Sequence, residues 1–142
     1  MKPMPLLLLA LILSLPALAQ KKIISPPEFP TGSPFSPGVL IGRTLYVSGQ
    51  TGSDLKTNKL PPNFQDEVRQ ALDRIGLVLK VAGMDYSDVV SATVYLTDFN
   101  LFDQMNQVYT SYFKTNRPAR ATVQVAGLAR GSRVEIMVTA SK

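Results

Sequence analysis

Two different apolar spacings run along the chain, and together they predict its elements. From Asn63 onward, Phe64, Val68, Ala71, Leu72, Ile75, Val78, Leu79 and Ala82 recur every three or four positions, the spacing of a helix with one buried stripe. Asn63 suits the N-cap, Asp66 and Glu67 place negative charge on the first turn, and Gly83 fits the C-terminal cap. The stretch predicts a helix of about five turns, with Gln65, Arg69, Asp73 and Lys80 mostly on its wet face. A second helix is predicted over residues 101–113, where Phe102, Met105, Tyr109 and Tyr112 or Phe113 share one side, Asn106 lies mid-helix and Arg117-Pro118 forms the stop.

Elsewhere the spacing is that of strands. Val39-Leu40-Ile41 turns at Gly42-Arg43 into Thr44–Ser48, which ends at Gly49-Gln50-Thr51-Gly52. Further strands are predicted over residues 89–96, 119–126 and 133–140. The whole reads as β-β-β-α-β-α-β-β, an α+β chain whose two helices cover one face of a six-stranded sheet. The apolar sets Ala121/Val123/Val125 and Val134/Ile136/Val138 are expected on the helix side. Arg120, Thr122, Gln124, Glu135 and Met137 are expected on the other face, in the company of Val89, Ser91, Thr93 and Tyr95. That second face is too mixed for a core and too apolar to stand wholly in water. Burial against another copy of the chain resolves the conflict, which predicts a cyclic homo-oligomer with a site at the seam lined by Arg120 and Glu135.

Residues 25–38 hold five prolines in fourteen positions, so neither a helix nor an interior strand fits there. With only a few mature residues before it, the stretch joins no two domains and is expected to lie as an ordered loop over one domain. The first nineteen residues follow a different logic. Lys2 lies near the amino terminus, Leu6–Leu15 is apolar except for Ser14, and Ala17-Leu18-Ala19 precedes polar Gln20-Lys21-Lys22. This is the layout of a secretory signal peptide cut after Ala19, and the run is too short for a comfortable membrane span. The expectation is a periplasmic or secreted protein of residues 20–142, with no membrane anchor after cleavage.

Composition then narrows the chemistry. The chain has 15 Lys+Arg and 10 Asp+Glu among 142 residues, and no His or Cys. A Ser-His-Asp triad, a thiol nucleophile, a disulfide and a thiolate metal site are therefore excluded. The positive excess is small, and no basic run longer than Lys21-Lys22 exists, so a nucleic-acid partner is not expected.

The residues Pro118-Ala119-Arg120-Ala121-Thr122-Val123-Gln124-Val125-Ala126-Gly127-Leu128, followed by Val134-Glu135-Ile136, form a specific pattern. It resembles the C-terminal signature of the RidA/YjgF/UK114 family, the reactive-intermediate deaminases. Pro34-Phe35-Ser36-Pro37-Gly38, Leu45-Tyr46-Val47-Ser48-Gly49-Gln50 and Asn106-Gln107-Val108-Tyr109 resemble three further blocks of that family in order. The resemblance covers about residues 22–141. It implies a chorismate-mutase-like protomer, a homotrimer with clefts between subunits, and hydrolysis of enamines and 2-imino acids such as 2-aminoacrylate to 2-keto acids and ammonia. No metal or organic cofactor is implied.

Residue by residue, the resemblance implies that Arg120 clamps the substrate carboxylate, a match of planar fork to planar acid. It implies that Glu135 positions or activates water, that Ser48 and Gly49 offer polar and backbone contacts, and that Asn106 lies in the pocket. Two positions depart from the family. Phe35 stands where a tyrosine is usual, and Thr122 where a cysteine is common. Both bear on substrate range more than on the reaction. The alternative reading is a trimer that binds a small carboxylate without turnover, or acts as a chaperone; ribonuclease activity ranks third, since neither His nor a basic stripe is present.

Overall fold

A computed structural model describes residues 20–142 of the chain. The segment expected to be a signal peptide, residues 1–19, lies outside the described residues. Six strands form one sheet: β1 (Lys21–Ile24), β2 (Gly38–Ile41), β3 (Thr44–Thr51), β4 (Val89–Leu96), β5 (Ala119–Gln124) and β6 (Val134–Ser141). Two helices, α1 (Phe64–Val81) and α2 (Phe102–Tyr112), complete the fold. The predicted order β-β-β-α-β-α-β-β is thus the observed one, with the first strand now located at Lys21–Ile24. In space the strands run β1-β2-β3-β6-β4-β5. Only the β4–β5 pair is parallel, because α2 carries the chain back between those two strands.

The signals for α1 act where expected. The Asn63 side chain accepts from the amides of Gln65 and Asp66, and Gly83 adopts φ +72° beyond the last turn. Val68, Ala71, Leu72, Ile75, Val78 and Leu79 are fully buried against Leu45, Val47, Val94, Ile136 and Val138 of the sheet. Glu67 is an exception to the wet first turn. It is wholly buried, and its two carboxylate oxygens accept from the Arg133 amide at 2.7 Å and from Arg133 Nε at 2.6 Å. A helix residue therefore fixes the entry to β6.

The register corrects one expectation about the sheet faces. Ala92, Val94 and Leu96 of β4, all buried, pair with Arg120, Thr122 and Gln124 of β5. Paired residues project to the same side of a sheet. Arg120, Thr122 and Gln124 thus lie on the helix side, and Ala121 and Val123 on the uncovered side, the reverse of the prediction. The reason is that β5 is an edge strand reaching past the helices, so its apolar positions are not drawn to the core. On β6 the prediction stands: Val134, Ile136 and Val138 are buried beneath the helices, while Glu135 and Met137 face away with Tyr95 and Thr93. Val89 also moves. It pairs with Ala140 and is buried, because a register shift before Ser91 breaks the alternation. The uncovered face exposes Ile23, Ile41, Tyr46, Val123 and Met137, an apolar surface of the kind that marks an interaction site.

Candidate active site

The proposed residues fall into two groups on different parts of the protomer. The first group gathers around Glu135. Between Val47 and Gln50 the pairing of β3 with β6 slips by one residue, so that Ser48 and Gly49 together stand opposite Met137, and Gly49 comes against the Glu135 side chain. Such a bulge re-aims local side chains and recurs next to active sites. Ser48 is held on both sides. Its hydroxyl donates to Pro37 O at 3.2 Å and accepts from Gln50 Nε2 at 2.9 Å. Gln50 itself is buried, so this orientation is fixed from inside the core. At Gly49 a Cβ would overlap Glu135 Oε1 and approach Cδ at 2.8 Å. Only glycine leaves the carboxylate where it is.

Phe35, Ser48, Gly49 and Glu135 line one cleft of about 630 Å³. The proline-rich loop forms its wall with Pro30, Ser33, Pro34 and Phe35, which gives that loop its ordered path over the domain. Glu135 is half-buried and takes part in no ion pair among the described residues. A carboxylate so placed has free lone pairs to hold a water molecule.

The second group gathers around Arg120. Its Nη2 donates to Asn106 Oδ1 at 2.8 Å, and the guanidinium lies over the rings of Tyr109 at 4.5 Å and Phe102 at 5.9 Å. Cation–π contact and the amide together fix the fork while leaving it exposed at the end of the sheet. Burial raises the Tyr109 phenol above its ordinary range, and the Arg120 charge opposes that rise. Thr122 Oγ1 and the Tyr109 hydroxyl are both buried without a hydrogen-bond partner among the described residues. An arginine flanked by unpaired polar atoms is equipped to receive a polar ligand.

The two groups do not meet within one protomer. Arg120, Asn106 and Thr122 are absent from the Glu135 cleft, and the register sets Arg120 on the helix side of the sheet and Glu135 on the uncovered side. The expectation that both share one face is therefore corrected. The chain carries two separate clusters, one with an acid over a shaped cleft and the other with a preset guanidinium at a sheet edge.

A sequence model described as endoribonuclease L-PSP matches residues 27–142. The chain belongs to this family. Curated members carry the resemblance to the RidA/YjgF/UK114 deaminases through most of the sequence. The 2-iminobutanoate/2-iminopropanoate deaminase of Bos taurus is 48% identical over 118 residues, covering 82% of this chain and 86% of the relative. The Homo sapiens protein of the same name is 44% identical over 122 residues, covering 84% and 89%. Among solved structures, the Escherichia coli YjgF gene product superposes with a TM-score of 0.80 at 31% identity, over 85% of this chain and 98% of that one. Escherichia coli TdcF with bound serine gives 0.80 at 32% identity, with the same coverage. The six-stranded, two-helix architecture is thus that of the RidA/YjgF family.

Sequence reasoning missed part of the cleft. Lys56, Asn58, Arg74 and Arg130 also line it. Arg74 is on α1, yet its guanidinium reaches back to Thr51 O at 3.0 Å and Ser53 O at 3.1 Å. Helical spacing says which face a residue occupies, not which loop a long side chain meets, so no sequence signal singled it out. Arg130 lies in the connection between β5 and β6, where its left-handed backbone (φ 58°) goes unannounced by a residue type that favours it.

Proposed function

We propose that the protein hydrolyses reactive 2-imino acids and their enamine tautomers to 2-keto acids and ammonia. The observation that carries the reading is the Glu135–Gly49 arrangement, in which a half-buried carboxylate stands over a cleft without an ion pair among the described residues and any side chain at position 49 would displace it. An imine carbon is already electrophilic, so catalysis needs a placed water, a group to manage its proton and a clamp for the acid. Glu135 supplies the first two. Ser48 and Gly49 border the reacting carbon, and Phe35 walls the mouth with an apolar ring. Arg120, steadied by Asn106 and Tyr109, takes the carboxylate, with Thr122 beside it. No cofactor enters the scheme.

Because one protomer keeps Arg120 and Glu135 on opposite faces, the working site forms where copies meet. The uncovered apolar face supports such burial, and the family resemblance implies three copies. Each seam then joins the Glu135 cleft of one copy to the Arg120 edge of the next, a head-to-tail contact that closes into a ring. Export belongs to the same reading. Gln20 directly precedes β1, so a cut after Ala19 leaves all six strands whole, and a mass matching a chain that starts at Gln20 is the expected result for protein recovered from outside the cytoplasm; an intact Met1 would refute it.

The test uses the purified chain with imines generated in place by an amino-acid oxidase. Wild type accelerates keto acid release over buffer. Arg120→Ala and Glu135→Gln each lower kcat/KM by about a hundredfold or more, with the fold intact by circular dichroism. A folded wild-type protein that accelerates none of a panel of imines contradicts the reading. Retained carboxylate binding in that case would instead favour a trimer that binds without turnover.

A further inference from the structure

The Glu135 cleft holds more positive charge than the reaction requires. Arg74, Arg130 and Lys56 line it, against one carboxylate, Glu135. None of the three cations joins an ion pair among the described residues. Arg74 is anchored by Thr51 O and Ser53 O and lies 5.4 Å from the Phe29 ring centre, while its Nε is buried without a partner. Burial first, and then the nearness of Arg130, hold the Arg74 guanidinium below its ordinary pKa. Two guanidiniums therefore repel one another within one cleft.

The backbone maintains this arrangement at a conformational cost. Arg130 and Asn58 both adopt the left-handed region, at φ 58° each, and the Arg130 guanidinium donates to Asn58 Oδ1. An arginine in that region is uncommon, and backbone strain of this kind gathers at ligand clamps. A cation cluster that forms no ion pair among the described residues, partly dry and held in part by a left-handed arginine, is the complement of an anion.

We propose that Arg130 and Lys56, backed by Arg74, form a subsite for a second acidic group, so that the preferred substrates are 2-imino acids whose side chain ends in a carboxylate. These are the imines of acidic amino acids. The proposal rests on the imine-hydrolysis reading and adds the substrate class. The α-carboxylate goes to Arg120 of the neighbouring copy, the imine carbon sits by Glu135, and the side-chain carboxylate reaches the cation cluster. The reaction itself is unchanged: water adds to the C=N carbon, its oxygen becomes the keto oxygen, the C–N bond breaks, and the nitrogen leaves as ammonia with both hydrogens of the water. No electrons are exchanged with any other group.

The experiment compares 2-iminoglutarate, formed in place from glutamate, with 2-iminobutanoate, formed from 2-aminobutanoate. Wild type favours the dicarboxylate in kcat/KM by about tenfold or more, the scale of a charge-assisted hydrogen bond. The double variant Lys56→Gln/Arg130→Asn removes that preference and leaves 2-iminobutanoate turnover within about twofold. Asn tolerates the left-handed backbone at position 130, and Arg130→Lys, which keeps the charge, retains most of the preference. Equal wild-type rates on the two imines, or equal losses on both in the double variant, overturn the subsite while leaving imine hydrolysis standing. If wild type hydrolyses neither imine, the broader reading has failed and calorimetry decides the subsite alone. Tighter binding of 2-oxoglutarate than of 2-oxobutanoate, lost in the double variant, supports it; equal binding refutes it.

Discussion

At the scale of single residues, Glu135 keeps its place because position 49 has no side chain. A methyl group there meets the carboxylate before anything else, and the carboxylate is the only party free to move, since β3 and β6 are both interior strands. Gly49→Ala is therefore expected to fold and to bind, yet to lose about a hundredfold in kcat/KM, the cost of displacing a reacting group by about an ångström. Steady-state kinetics beside thermal unfolding check this; a variant that loses stability but keeps its rate would assign Gly49 to the turn alone. The motif residues were legible one at a time. Arg120 and Asn106 were singled out from separate blocks, and the structure joins them by a 2.8 Å hydrogen bond. Arg74 was not legible, because the carbonyls it holds lie more than twenty residues upstream. Phe35 and Thr122, the two departures from the family pattern, differ in exposure. Phe35 is an exposed ring at the cleft mouth, and Thr122 presents a buried hydroxyl without a partner.

At the scale of elements, Glu67 ties α1 to β6. It is fully buried and satisfies the amides of Arg133 and Val134 and the Arg133 side chain, so the strand that carries Glu135 starts from a fixed point. Glu67→Gln leaves the arginine without its countercharge. The expected loss is about 3 kcal/mol in urea unfolding, the low end for breaking a buried pair, because Arg133 is a third exposed and partly rehydrates. A loss below about 0.5 kcal/mol would mean that the contact is incidental, as surface pairs are. Elements also show where sequence patterning stops. The helices α1 and α2 were readable to within a residue or two, because a 3.6-residue stripe points in one direction only. Alternation along β5 separated Arg120/Thr122 from Ala121/Val123 correctly but assigned the faces the wrong way round. A period of two defines a pair of faces and leaves the inward one to the register with a neighbour. The neighbour here, β4, is parallel and places Ala92 beside Arg120. At β3 the same limit applies: the bulge that sets Ser48 and Gly49 opposite Met137, and so Gly49 against the Glu135 side chain, depends on pairing with a strand more than eighty residues away.

At the scale of the whole molecule, the sheet separates what the chemistry must bring together. Arg120 at the edge and Glu135 on the open face lie on opposite sides of the sheet, and the open face exposes Tyr46, Val123 and Met137. The correction to β5 keeps Glu135, Met137 and Tyr95 on that face and moves Arg120 and Thr122 off it. On the proposed reading, the two clusters come from different copies rather than from two patches of one surface. The central claim is a site shared between chains, and mixed assembly tests it most directly. Arg120→Ala and Glu135→Gln chains, each inactive alone, are co-expressed with different tags and the mixed trimers purified by both tags. Every mixed ring holds one seam where an intact Glu135 faces an intact Arg120, so these trimers are expected to recover about a third of wild-type activity. Mixed trimers as inactive as either parent would contradict the account, because they would place Arg120 and Glu135 in the same chain's site.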